Sequence, residues 1–397
     1  MSLPISKFAQ SVGGSTVVGM RRRADVLAAS GVDIIDFGVG EPDFDVPPPI
    51  KEAAIRAIRD DKSHYVDPRG LLELRENIAR HEAEQHGRPV DPDRIVVTPG
   101  TLGALSLITR AILNPGDEVL VIEPRWGPYR NLVSLTGATP VGVPMSTQAG
   151  RFIVDAERIA AAITERTRAI ILNTPWNPAG RVLSLEELNA VAELAERHDL
   201  WIISDEVYSQ MVFTGAEHIS IASLGAGVAN RTVIATSLSK SFAMTGWRLG
   251  YCVAPPELAV VLGRLNHYST RCASSIVQHA AVVALEKGTP FVDDMRREYS
   301  RRRDAIAAGL NEIEGVVCPI PEGAFYAFPE IPDDWGGGDA VANYLLEESG
   351  VVVTSGSAYG TSSRNHLRLS FAASMPAIQE GLRRLQNTLP LQSDQIQ

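Results

Sequence analysis

The sequence predicts an α/β protein: a large domain with a mostly parallel sheet covered by helices, and a smaller α+β domain made from the N- and C-terminal segments. Three observations predict it. From about residue 94 to residue 253, short apolar runs rich in β-formers alternate with helical patterns. Those runs are continuously apolar rather than alternating, as expected of strands buried on both faces. Past about residue 290 the alternation gives way to one long charged helix, short strands and a terminal helix.

Taken in order, Arg94–Thr98 reads as a strand and Leu102–Leu113 as a helix. Glu118–Ile122 and Arg168–Leu172 are the next strands. Ser184-Leu185-Glu186-Glu187 has the form of a capping box and opens a helix to about His198. Leu200–Ser204, Thr232–Thr236 and Leu249–Val253 complete the strands. Phe291–Glu314 is a long helix whose arginines alternate with Asp293, Asp294, Glu298 and Asp304, which predicts a solvated, salt-bridged face. Gly323-Ala324-Phe325-Tyr326 opens a strand, Asp333–Gly338 is a surface loop, and a last helix starts near Ser374 with Pro376 in its first turn. The expected domains are 45–288 for the large one and 1–44 with 289–397 for the small one.

The chain has 397 residues and a net charge of −10. An acidic chain with no basic stripe is a poor match to nucleic acid or an anionic membrane. Arg21-Arg22-Arg23 reads as the polar face of a short helix. Three scattered cysteines, Cys252, Cys272 and Cys318, form no CxxC pair and predict neither a disulfide framework nor a metal site. A reduced, cytoplasmic setting is the expectation. No apolar run approaches a membrane span, and the first residues lack the core of a signal peptide.

Polar and special residues gather just after the predicted strands: Gly100-Thr101-Leu102, Glu123-Pro124-Arg125-Trp126, Asn173 to Gly180, Asp205-Glu206-Val207-Tyr208, and Ser237-Leu238-Ser239-Lys240. Ligands of open α/β sheets bind outside the carboxyl ends of strands, so these clusters converge on one crevice. Of five lysines, only Lys240 lies between an apolar strand and a Gly-Trp turn; Lys7, Lys51, Lys62 and Lys287 read as solvated. Hydroxyls at Ser237 and Ser239 precede it and Arg248 follows. An amine able to attack a carbonyl beside an anion site is what pyridoxal 5′-phosphate (PLP) requires. The start of the helix at Gly100-Thr101-Leu102 offers backbone N–H groups to the same phosphate.

These segments, with Gly40-Glu41-Pro42-Asp43-Phe44, Asn173-Thr174-Pro175-Trp176-Asn177-Pro178-Ala179-Gly180, Gly323-Ala324-Phe325-Tyr326 and Leu367-Arg368-Leu369-Ser370, resemble the class I/II aminotransferases, PLP enzymes of the aspartate aminotransferase fold. The matching runs reach from residue 38 to residue 371, and their order is more specific than any one of them.

The resemblance implies roles. Asp205 pairs with the cofactor's ring nitrogen, Tyr208 and Asn177 reach its 3′-oxygen, and Trp126 stacks on its ring. Tyr129 is a partner for Asp205. Arg368 clamps the substrate α-carboxylate, with Gly40 offering its backbone. Tyr65 reaches the phosphate of a neighbouring subunit, which implies a homodimer with shared sites. The chain departs from the family pattern at Trp176 and Ala179, so the pocket wall is expected to differ there. Each residue also has an ordinary alternative: Asp205 as a helix cap, Tyr208 and Trp126 as core aromatics, Tyr65 as an exposed loop residue.

The implied reaction moves an amino group between an L-amino acid and a 2-oxo acid by a ping-pong mechanism. Other PLP chemistries on the same site, a β-lyase, a synthase or an oxidase/hydroxylase, remain open. A non-catalytic PLP-binding regulator fits worst, because the stretch before Gly40 has no basic recognition helix. Acidic-substrate relatives often carry a lysine where this chain has Leu102. Arg125 and Arg271 are unusual neighbours of the site that would replace that charge, or else are surface or interface residues, the expectation for each taken separately.

Overall fold

The computed structural model describes residues 5–6, 9–10, 12–14, 16–87, 89–148, 150–213 and 215–389; Lys7 lies outside them. Seven strands form the main sheet: β1 (Ile95–Thr98), β2 (Glu118–Glu123), β3 (Thr139–Pro144), β4 (Thr167–Asn173), β5 (Trp201–Asp205), β6 (Thr232–Ser237) and β7 (Gly250–Val253). Their spatial order is β1-β7-β6-β5-β4-β2-β3. From β3 to β6 every neighbouring pair is parallel. Only β7 runs the other way, antiparallel to both β1 and β6.

Alternate residues of the strands build two apolar layers. Val121, Ile171, Ile203 and Val233 pack with Leu105 and Ile108 of helix α1 (Gly100–Ile112). Leu120, Ile170 and Ile202 pack on the other face with Leu188 and Val191 of helix α2 (Leu185–Arg197). That second helix starts at the capping box anticipated for it: Ser184 accepts from the Glu187 amide, and the Glu187 side chain accepts from the Ser184 amide. Strand β3 is the element the sequence conceals. Pro140, Gly142 and Pro144 argue against a strand, yet β3 pairs only with β2, and proline is tolerated on an edge.

The chain ends form a second group of elements. Ile35–Asp36 pairs in parallel with Val351–Val352. Tyr326–Ala327, Leu367–Ser370 and Thr354–Ser355 form a small antiparallel sheet. Helices Thr289–Asn311, Gly338–Ser349 and Met375–Thr388 accompany them. On the long helix, Arg296, Arg297 and Arg301 pair with Asp293, Asp294 and Glu298 on the solvated face expected there. Arg302 is the exception: it is buried, bonded to Asp43 at 2.7 Å and to Glu298 at 3.0 Å. Its guanidinium lies 5.3 Å from the ring centre of Phe44, so aromatic faces and Asp43 replace the water it would otherwise keep. Trp335, in the predicted surface loop, is buried as well, at the end of a single 3₁₀ turn. Among the described residues no helix is long and apolar enough to cross a membrane, and no cluster of metal-ligating side chains occurs.

Candidate active site

The carboxyl ends of β1, β2, β4, β5 and β6 open onto one cavity of about 780 Å³. Thr101, Leu102, Trp126, Asn177, Asp205, Tyr208, Ser237, Lys240, Arg248, Arg368 and Gly40 all line it.

Lys240 sits on the single helical turn Leu238–Ser241 directly after β6. Its Nζ donates to the Gly40 carbonyl at 2.6 Å. Burial lowers its pKa to about 8 against the pull of Glu41, and Arg368 and Arg248 lower it further. About a tenth of the amine is therefore free at pH 7, far more than for an ordinary lysine, as a nucleophile or general base needs. Lys51, Lys62 and Lys287 are exposed.

Asp205 ends β5 and is buried. Its Oδ2 accepts from the Tyr129 hydroxyl at 2.7 Å and its Oδ1 from the Val207 amide at 3.2 Å. Burial raises it to about 6, and those two hydrogen bonds hold it from rising further. The Tyr208 hydroxyl shares a 2.7 Å hydrogen bond with Tyr326, a residue to which the sequence reading gave no role. The four-residue motif ending at Tyr326 was the only signal for it.

The start of α1 is shaped to admit something close. Gly100 has φ +75°, and a Cβ there would lie 2.5 Å from Nη2 of Arg248. A Cβ on Gly250 would meet the Gly100 and Thr101 backbone at 2.6 and 2.7 Å. Thr101 Oγ1 is buried with no hydrogen-bond partner among the described residues. Arg248 donates to the Thr245 carbonyl at 2.8 Å, and Ser237 Oγ accepts from the Ser239 amide at 3.3 Å. A free helix N-terminus, an unpaired hydroxyl and a guanidinium in one place make a site for a phosphate.

Arg368 is buried on the strand Leu367–Ser370. It donates to Asn177 Oδ1 at 3.1 Å and to the Gly38 carbonyl at 2.6 Å, while its Nε has no partner. It lies 4.5 Å from the ring centre of Tyr326 and 5.2 Å from that of Tyr359. Gly38 thus stands beside this guanidinium, whereas the Gly40 carbonyl faces Lys240.

Tyr65 is 77% exposed and is absent from the cavity lining; the Arg271 guanidinium lies 5.1 Å from its ring centre. Arg271 is exposed too. Arg125, expected at the surface, is buried and lines the cavity, because its amide is pinned to the Tyr359 carbonyl at 2.7 Å. Trp176 turns away from the cavity into the core, donating its Nε1 to the Pro124 carbonyl at 2.6 Å. It therefore does not alter the cavity wall as anticipated. Val12, Leu102 and Leu135 form a partly exposed apolar rim.

A lysine, a buried carboxylate and an arginine facing one cavity at the carboxyl ends of the strands are groups that an amino-group transferase can use. The chain belongs to the family of class I and II aminotransferases, whose model matches residues 32–385. It is 41% identical to a probable aspartate/prephenate aminotransferase of Aquifex aeolicus, over 94% of this chain and 96% of that one. It is 40% identical to an arginine–pyruvate transaminase of Pseudomonas aeruginosa, over 96% of each chain. The aspartate aminotransferase of Thermus thermophilus with maleate superposes with a TM-score of 0.92 at 36% identity, covering 98% of this chain and 100% of that one. The protein is an aminotransferase.

Proposed function

We propose that this aminotransferase works through PLP held on Lys240, moving an amino group from an L-amino acid to a 2-oxo acid in two half-reactions. The observation that carries the reading is the meeting of Lys240, Asp205 and Arg368 in one cavity with the anion cradle at Gly100, Thr101 and Arg248. The unpaired Thr101 hydroxyl and the close approach that Gly100 permits fit a phosphate. PLP, when bound, supplies a sink for the electrons released at the substrate Cα.

The residues of this chain supply the rest. Ser237, Arg248 and the amides of Gly100, Thr101 and Leu102 hold the phosphate. Trp126 covers one face of the ring. Asp205, kept in place by Tyr129, faces the ring nitrogen, and its charge favours a proton there. Asn177 and Tyr208 supply hydrogen bonds at the 3′-oxygen. Arg368 binds the substrate α-carboxylate through paired N–H groups, exchanging its present carbonyl and amide partners for a charged one. Lys240 Nζ, set free when the substrate amine takes its place on the cofactor, would move the Cα proton as general base and then general acid.

Borohydride reduction of the PLP-loaded enzyme and peptide mapping are expected to place the pyridoxyl group on Lys240. A label on Lys7, Lys51, Lys62 or Lys287 would overturn the assignment. Tyr65, exposed in its own chain, completes a neighbour's phosphate site in a homodimer, and the large and small domains meet at the cavity as 45–288 and 1–44 with 289–397. The setting is the cytoplasm. Mixing inactive Tyr65→Ala and Arg368→Ala proteins under subunit exchange should restore activity, because one site of each mixed dimer carries neither lesion. No rescue despite proven exchange would exclude the shared site.

A further inference from the structure

Five cations line the cavity among the described residues: Arg125, Arg130, Lys240, Arg248 and Arg368. Lys240, Arg248 and Arg368 have work in the reading above, on which this inference rests. Arg130 is exposed on its helix. Arg125 is the buried one left over, only 7% exposed.

Its donors are unused. Nε and Nη1 are buried without a hydrogen-bond partner among the described residues. A buried guanidinium whose charge is balanced but whose N–H groups lack hydrogen bonds is costly for a fold to keep. The groups facing it are few. Glu123 Oε1 lies 3.4 Å from Nε but makes no hydrogen bond with it, and Arg130 opposes its charge. Glu123 is itself absent from the cavity lining, so it balances the charge from behind rather than occupying the cavity side.

The position is also right for a substrate side chain. The Arg125 amide is bonded to the Tyr359 carbonyl at 2.7 Å, and the Tyr359 ring lies 5.2 Å from the Arg368 guanidinium. The backbone of Arg125 is thereby tied to the residue that flanks the α-carboxylate clamp. Leu102 adds no charge to the lining, and Arg271 stands outside the cavity.

We propose that Arg125 is a specificity residue that binds a carboxylate at the end of the substrate side chain, on a different wall of the cavity from Arg368. Bound there, the carboxylate meets the guanidinium from the cavity side, which Glu123 does not line, and the apolar side chains of Val12, Leu102 and Leu135 accept the methylenes between the two acids.

The test uses unreactive acids first. With the full-length enzyme loaded with PLP, the dissociation constants of malonate, succinate, glutarate and adipate are compared with those of their monoamides, by calorimetry. The amide has nearly the same shape and lacks the charge. At least one dicarboxylate is expected to bind about tenfold or more tightly than its monoamide. In Arg125→Met that ratio should fall towards one, and in Arg125→Lys part of it should survive. In single-turnover reactions the preference for glutamate over glutamine, as kcat/KM, should drop about a hundredfold in Arg125→Met.

A wild-type ratio near one at every chain length would overturn the proposal. So would a ratio that persists in Arg125→Met, or equal losses for acid and amide, which a purely structural Arg125–Glu123 pair would give. If Arg125→Met does not fold, the wild-type ratios and Arg125→Lys still decide. Failure of every donor to react would strike the PLP reading instead, since the binding ratios need no turnover.

Discussion

Two buried guanidiniums of this chain have opposite surroundings. Away from the cavity lining, Arg181 is saturated: it donates to the Phe152 carbonyl at 2.8 Å, to Glu322 at 3.0 Å, to Glu187 and to the Val182 carbonyl. Burial pushes Glu187 up, but the amides of Ser184 and Val154 and the charge of Arg181 bring it below the ordinary value. At the cavity, among the described residues, Arg125 Nε and Nη1 and Arg368 Nε make no hydrogen bond, and Arg125 has only the 3.4 Å ion pair with Glu123. Both regions bury charge equally well. What differs is whether the protein itself answers it. Where the fold completes every hydrogen bond, the charge serves structure; where a guanidinium beside a cavity lacks them, the charge can serve a ligand.

The comparison is sharpest at Lys240, a half-buried cation whose one hydrogen bond among the described residues is to the Gly40 carbonyl. Lys240→Ala should lower turnover by about 10⁴-fold or more, since it removes both the cofactor's attachment and a proton-transfer group. Far-UV circular dichroism should be unchanged. Appreciable turnover would mean that the charge in the cavity is structural after all. Asp205→Ala should follow, with kcat reduced by about 10³-fold while PLP is still retained through its phosphate, because the lost interaction acts chiefly on the transition state. Near-normal kcat would remove Asp205 from the ring nitrogen.

Arg181→Met tests the other side. It strands Glu187 and half of Glu322 in a buried place, which costs about 3–5 kcal/mol of stability in denaturant unfolding. The activity per folded molecule should stay close to wild type. A large kcat loss in a fully folded variant would break the contrast between the two regions.

The pH dependence separates them further. Lys240 has its pKa lowered to about 8, so its amine is mostly protonated at pH 6 and mostly free at pH 10. Only the free amine attacks an aldehyde. The rate at which apoenzyme takes up PLP should therefore rise with pH through a midpoint near 8 and level off above it. Stopped-flow absorbance measures this directly. A midpoint near the ordinary lysine value would show that the cavity does not desolvate Lys240.

How much of this was legible beforehand depended on whether one stretch of chain carried the signal. Lys240, Asp205 and Gly100 follow strands with continuous apolar patterns, so both their element and their end of the sheet were readable. Strand β3 was not, because Pro140 and Pro144 speak for a turn unless its edge position is known. Arg125 and Arg302 looked like ordinary polar residues; their burial comes from Tyr359 and Asp43, about 234 and 259 positions away in sequence. Tyr326 had a motif but no role, since its partner Tyr208 is joined to it only by the fold. Local periodicity reports elements and strand ends. Contacts between distant segments decide which side chains end up facing a cavity.

The smallest expected effect is also the most discriminating for the opening contrast. Arg125→Met should change unfolding stability by about 1 kcal/mol or less, against the several lost at Arg181. The reasoning is that the folded state gains little from Arg125. Its nearest acid, Glu123 at 3.4 Å, is not hydrogen-bonded to it, and methionine can fill the space of the stem. Desolvating a guanidinium without partners offsets most of the attraction that remains. Removing it leaves Glu123, which is 9% exposed and loses no hydrogen bond to Arg125. Parallel urea titrations of Arg125→Met and Arg181→Met, read by the same probe, give the difference directly. Equal destabilisation would place Arg125 with the structural charges; a clearly smaller loss keeps it among those the protein holds open for its substrate.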